Sequence, residues 1–193
     1  SGVDQFVVAT DSRVGGNITA AAVNFQGNVS LVGDADFLSG TLGPFVPNYA
    51  APTLAGNYSA GGGARSVTLS SDGAYAFIAY GSYGLQIIDV STVDAPTLAG
   101  SLDFPQFIND GTLSADGQYA FLAGGSDLEI IGVSNVAAPT AVGNYGPEDA
   151  QSVTLSSDGQ YAFVADGYYG LQIINVSNVT APTLAGSFDT SGE

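Results

Sequence analysis

The chain has 193 residues, with 18 acidic and 2 basic side chains, no histidine and no cysteine, for a formal charge of −16. With Arg13 and Arg65 as the only cations, it lacks the Lys and Arg needed to grip nucleic-acid phosphates, and anionic membrane surfaces repel it. The missing His and Cys exclude the usual zinc sites, thiol and Ser-His catalysis, haem and iron–sulfur ligation, and no apolar run reaches the length of a bilayer span.

Taken in chain order, residues 1–50 show no obvious pattern. Set against the segments that follow, 6–10 fits a first strand, 11–16 its turn, 18–25 a second strand and 29–33 a third. The next segment, 37–50 (FLSGTLGPFVPNYA), is an insert carrying Phe37, Leu38, Leu42, Phe45, Val46 and Tyr49 in a Gly/Pro loop. It reads either as an arm that lies in a neighbouring chain's groove or as a lid over its own blade edge. APTLAG from Ala51 then supplies the fourth strand of this degenerate unit.

Regular repeats begin there. APTLAG recurs at Ala95, as APTAVG at Ala138 and as APTLAG at Ala181, in steps of 44, 43 and 43 residues. GLQIIDVS at Gly84 returns as DLEIIGVS at Asp127 and GLQIINVS at Gly170. VTLSSDGAYAF at Val67 matches GTLSADGQYAF at Gly111 and VTLSSDGQYAF at Val153. A period of about 43 suits one four-stranded propeller blade. The clearest copy predicts strands at 65–70, 75–80, 85–90 and 97–103. Its Ser71-Asp72-Gly73 turn uses Asp to cap itself and Gly to accept positive φ, and Pro96 begins an outer strand, where a missing N–H costs least.

In YAFIAY, Tyr75, Phe77 and Ala79 point one way and Ala76, Ile78 and Tyr80 the other. Both faces are mostly apolar, as expected when a blade is covered on both sides. The fold class expected is therefore all-β and β-propeller-like, one domain over 1–193 with blade units 3–58, 64–103, 108–145 and 150–188. Four whole units form a tight closed ring, or the ring is completed by a neighbouring chain. Head-to-tail joins that fail to close give a filament.

LQIIDVS followed by an AP-x-LAGS segment resembles the LVIVD repeat, over residues 51–188 in three clear copies. The resemblance implies a propeller of an exported or surface protein, usually with more blades than this chain supplies. It implies no catalytic residues.

Carboxylates are the remaining chemistry. Asp72, Asp116 and Asp158 hold turn positions. Asp34 and Asp36 form a D-x-D, and Asp110, Glu148 and Asp149 fall in loops between blades. These are candidate calcium ligands, since calcium takes hard oxygens, although none sits in an EF-hand pattern and the alternative is diffuse cation screening. No cofactor other than calcium is expected. A glycosidase needs two opposed carboxylates and no such pair breaks the repeat, so the chain reads as a non-enzyme. Tyr80, Tyr83, Tyr168 and Tyr169 fit a sugar groove or blade packing.

Five Asn-x-Ser/Thr sequons, at Asn17, Asn28, Asn57, Asn175 and Asn178, read as glycosylation acceptors or as turn asparagines. The Lys-poor, Gly/Ser/Thr/Asn-rich composition suggests an extracellular or cell-surface protein, and Ser1 reads as the start of a mature or excised chain. Two functions are expected from these readings: a self-assembling subunit of a surface fibre or layer, or a ligand- or glycan-binding propeller module of a larger surface protein.

Overall fold

Strand patterning rules the chain from residue 66 onward. The computed structural model describes residues 53–59 and 62–190. The chain divides into two units, Ser1–Tyr49 and Ala50–Glu193. The strands read at 6–33 and the insert 37–50 lie outside the described residues.

Three four-stranded antiparallel sheets follow one another. The first is β1 (Ser66–Leu69), β2 (Tyr75–Ala79), β3 (Leu85–Asp89) and β4 (Thr97–Leu102). The second is β5 (Ile108–Leu113), β6 (Tyr119–Gly124), β7 (Asp127–Gly132) and β8 (Thr140–Tyr145). The third is β9 (Ala150–Leu155), β10 (Tyr161–Asp166), β11 (Leu171–Asn175) and β12 (Thr183–Phe188), with a single 3₁₀ turn at Gly167–Tyr169. Each sheet is a simple up-and-down blade, and β1, β5 and β9 lie side by side as its inner strands. The predicted strands fall within a residue or so of these in the first blade.

One expected strand is absent. Residues 53–59 run beside the first blade without strand hydrogen bonding, although APTLAG was expected to pair as a fourth strand. Pairing requires a third strand to supply the ladder, and in the expected unit that strand would precede residue 50.

The Ser-x-Asp-Gly turns are the same in all three blades. Ser114 Oγ donates to Asp116 Oδ1 at 2.5 Å and accepts the Tyr119 N–H at 3.0 Å, while the Gln118 N–H donates to the same carboxylate oxygen at 3.0 Å. Gly117 closes the turn at φ 69°, a left-handed value that only glycine adopts freely. The Ser114 hydroxyl, then the Gln118 N–H, hold the Asp116 carboxyl below its ordinary pKa. Asp116→Ala is expected to lower stability by about 1 kcal/mol through the lost turn bonds, read as a fall in the urea midpoint at unchanged slope.

The core lies between blades, and this explains the two apolar faces. Phe77, Ala79, Leu85 and Ile87 on the trailing face of the first blade pack against Ile108, Ala120, Leu122 and Ile131 on the leading face of the second. Phe121, Ala123, Leu128 and Ile130 of the second blade then meet Val153, Ala162, Val164 and Ile174 of the third. A bulge recurs where β3 meets β4, β7 meets β8 and β11 meets β12, between Ile87/Ile88, Ile130/Ile131 and Ile173/Ile174. Bulges bend and twist a strand, and here each one immediately precedes a glycine of the outer strand.

Candidate functional site

Those glycines form the contact that joins one blade to the next. A Cβ at Gly100 would fall inside van der Waals contact of the Val136 carbonyl oxygen, and one at Gly143 would strike the Val179 carbonyl in the same way. Gly56 meets the Val93 carbonyl identically, so residues 53–59 occupy the place of an outer strand despite making no ladder. In each case the bare backbone of one outer strand receives the turn between the third and fourth strands of the following blade. The series ends at Gly186, where no described atom lies within 4 Å of a Cβ.

The side chains around Gly186 are uncovered to match. Phe121 and Ala123 are buried in the second blade, whereas their counterparts Phe163 and Ala165 are half-buried and exposed. Leu128 and Ile130 are fully buried, whereas Leu171 and Ile173 are half-buried. Leu184 and Phe188 on the outer strand are 48% and 68% exposed. At the other end of the array Val67 is 64% exposed, against 5% for its counterpart Val153. Among the described residues, then, both terminal faces of the three-blade array carry exposed apolar side chains.

Polar side chains tie the inner strands together. Thr68 Oγ1 donates to the Gly111 carbonyl at 2.9 Å, and Asn109 Nδ2 donates to the Ala150 carbonyl at 3.0 Å. Asp110, expected in a loop as a cation ligand, lies inside β5 because a bulge at Ile108/Asp110 carries the strand past Asn109. One carboxylate oxygen accepts from Ser152 Oγ at 2.6 Å and the Val153 N–H at 3.1 Å, and the other from the Gly111 N–H at 2.8 Å. Burial pushes its pKa up, but the bonds from Ser152, Ser66, Val153 and Gly111 together outweigh that and leave it below the ordinary value. Ser66, Asp110 and Ser152 hold equivalent positions, paired with Ala79, Ala123 and Ala165.

Asp149 and Glu148 lie just before β9. The Asp149 N–H donates to Asp166 Oδ1 at 2.6 Å, and its own carboxylate accepts from Gln151 at 2.6 Å. Glu148 accepts the Tyr169 hydroxyl, which raises the Tyr169 pKa. Asp166 is fully buried and also accepts from Gln172. Sequence reasoning passed over Asp166, although the repeat offered a signal: it stands where the other blades have Tyr80 and Gly124. Gln172 likewise matches Gln86 and Glu129 on the third strands. Glu129 accepts from Gln106 at 3.2 Å, and its pKa is raised by burial, then by Asp127. Among the described residues no three acidic side chains gather around a metal-sized space, and Asp34 and Asp36 lie outside them.

Tyr80 is buried, its hydroxyl accepting the Gly62 N–H at 3.0 Å and its ring tilted against Tyr83 at 5.9 Å. Tyr83, Tyr168 and Tyr169 are exposed. Of the sequon asparagines, Asn57 is exposed, while Asn175 and Asn178 accept bonds from Ser177 and Thr180 in local turns. Asp89 and Asn135 do the same at the equivalent positions of the earlier blades. Asn17 and Asn28, with Phe37, Leu38, Leu42, Phe45, Val46 and Tyr49, lie outside the described residues.

The LVIVD repeat model matches residues 61–103, 111–146 and 147–190, well over half of the sequence. The chain belongs to the LVIVD-repeat family. Its fold is that of a β-propeller. It is similar to Kuenenia stuttgartiensis hydrazine synthase at 15% identity, with a TM-score of 0.54 over 76% of this chain and 41% of that one. The β-propeller domain of Myceliophteria thermophila Cps50 (Swd1) is also similar, at 15% identity and a TM-score of 0.55 over 67% and 44% of the two chains. A protein from Lactobacillus plantarum gives 18% identity and 0.55 over 66% and 42%. At these identities the likeness is one of fold alone. The chain spans about two fifths of the length of these structures. No curated protein matches its sequence. No described helix is long and apolar enough to cross a membrane.

Proposed function

We propose that this LVIVD chain is a non-enzymatic structural subunit of the cell surface, which joins copies of itself blade to blade into a fibre or layer. The observation that carries this reading is the uncovered trailing face of the third blade. A face built to the same pattern is buried in each earlier blade, so exposing it forfeits apolar burial that a neighbouring blade would restore. Among the described residues, two inward-lying carboxylates serve the fold: Asp110 holds two inner strands together, and Asp166 holds the segment before β9. The Lys-poor composition and the sequons support export.

A charge of −16 per copy opposes association, so assembly is expected to strengthen as salt shortens the range of that repulsion. Light scattering and electron micrographs of the same fraction, at ~10 mM and ~150 mM salt, provide the test. Long polymers that grow with salt are the expected result. A 19.3 kDa monomer, or a single closed dimer, at both salt concentrations overturns the fibre, and a monomer favours a ligand- or glycan-binding module.

A further inference from the structure

We infer that Asn178, in the turn between β11 and β12, is an N-glycosylation site, its side-chain nitrogen carrying the sugar while its side-chain oxygen holds the turn. The inference rests on the cell-surface reading above and adds a modification to it.

Asn178-Val179-Thr180 has the Asn-x-Thr form of an acceptor, yet asparagine also suits such turns for its own sake. The two roles compete only if they use the same atom. Here they use different ones. Asn178 Oδ1 accepts the Thr180 N–H at 3.2 Å and the Thr180 hydroxyl at 2.9 Å. A carboxamide has its donors on the nitrogen, and among the described residues Asn178 Nδ2 donates to no partner. Asn178 and Thr180 are both exposed, so a sugar on Nδ2 meets solvent rather than core and leaves both turn bonds in place.

The second blade shows that the hydroxyl is surplus to the turn. Asn135 stands at the equivalent position and accepts the Ala137 N–H at 3.3 Å, and its turn seats Val136 on Gly100 as the third blade seats Val179 on Gly143. Alanine suffices there, whereas Thr180 adds the group that makes the triplet an acceptor. Asn175-Val176-Ser177 has similar letters in another setting. Asn175 is half-buried and ends β11, paired with Tyr161 on one side and Thr183 on the other. Its bonds from Ser177 repeat those that Asp89 accepts from Ser91 in the first blade. Asn175 is thus the turn residue and Asn178 the acceptor. In the transfer, Asn178 Nδ2 bonds to the anomeric carbon of a sugar activated as a glycosyl phosphate or diphosphate. The bond from that carbon to the phosphate oxygen breaks, and the phosphate leaves with the electron pair. Nδ2 gives up one proton to a base of the transferase, and nothing is oxidised or reduced.

The native protein, isolated from its source and cut before aspartate, releases 166–188 as one peptide that holds both asparagines. Mass spectrometry should find this peptide enlarged by a glycan. Thr180→Ala, expressed in the same source, should leave it bare while folding as the parent does, because Ala137 already serves at that place in the second blade. Thr180→Ser should restore the glycan, and Asn175→Ala should keep it. A bare peptide on protein recovered from the cell surface overturns the inference and leaves the surface reading standing. A bare peptide on protein held inside the cell overturns that reading as well. A glycan that survives Thr180→Ala belongs to Asn175 and overturns the assignment to Asn178.

Discussion

Replacing Gly143 with alanine should cost the protein about 3 kcal/mol of stability, while the same change at Gly186 should cost nothing. The two glycines share a sequence context, a strand position and a bulge. By intrinsic preference alone, alanine should be favoured at both, since glycine inside a strand loses more backbone entropy on folding. What separates them is space. A methyl group on Gly143 would run into the Val179 carbonyl, with the Val179 carbonyl carbon 3.1 Å and Thr180 Cα 3.2 Å away. Backbone cannot rotate aside as a side chain can, so relief requires the second and third blades to part and loosen the apolar cluster between them. Gly100→Ala, against Val136, should behave like Gly143→Ala. Urea denaturation in dilute low-salt buffer, where copies stay apart, reads the difference as a midpoint shift at constant slope. Equal losses at Gly143 and Gly186 would mean that the glycines serve local backbone geometry rather than the blade joint.

The contrast shows what the sequence could and could not disclose. The three blades were legible because a period near 43 coincides with strands apolar on both faces, and burial on both faces has few other solutions. Strand edges in the first blade came within a residue or so because Ser-x-Asp-Gly and the A-P dipeptide mark turns chemically. The glycine of each APTLAG was visible as a repeated letter, but its task depends on a carbonyl some 36 residues away, in a blade whose approach no local pattern specifies. The bulge before it was hidden for the same reason, since a bulge is a property of two paired strands. Asp166 was legible in principle as the one acidic residue at a position held by Tyr80 and Gly124. Its partners are the Asp149 N–H and Gln172, which only the folded third blade brings together around it. Asp110 was identified as chemically special and given the wrong setting. Expected in a loop between blades, it sits in a strand whose neighbours supply N–H and O–H donors.

Those donors make Asp110 the second position of large expected effect. Asp110→Ala leaves the Ser152 hydroxyl and the Val153 N–H without their acceptor at a joint between two blades, and should cost about 2 kcal/mol. Asp110→Asn retains an oxygen acceptor but loses the charge, so it should cost less at neutral pH and remove an acid-sensitive contribution. The sign follows from the shifted ionisation. Burial raises the Asp110 pKa, the bonds from Ser152, Ser66, Val153 and Gly111 lower it further, and the folded value ends below the ordinary 3.8. A carboxyl more acidic in the folded state contributes stability above its unfolded pKa, and that contribution disappears as pH falls through the lower folded value. The parent should therefore lose stability relative to Asp110→Asn as pH drops below 3.8, with the two curves running parallel from there up to neutral pH. Glu129 moves oppositely, its raised pKa weakening the fold as pH rises through it, but it is common to both proteins and cancels in the difference. Chemical denaturation of the pair between pH 7 and pH 2.5 measures that difference directly. Curves that stay parallel through the acid range would mean that the carboxylate at the inner strands is no better stabilised folded than unfolded, and that the joint is held by packing alone.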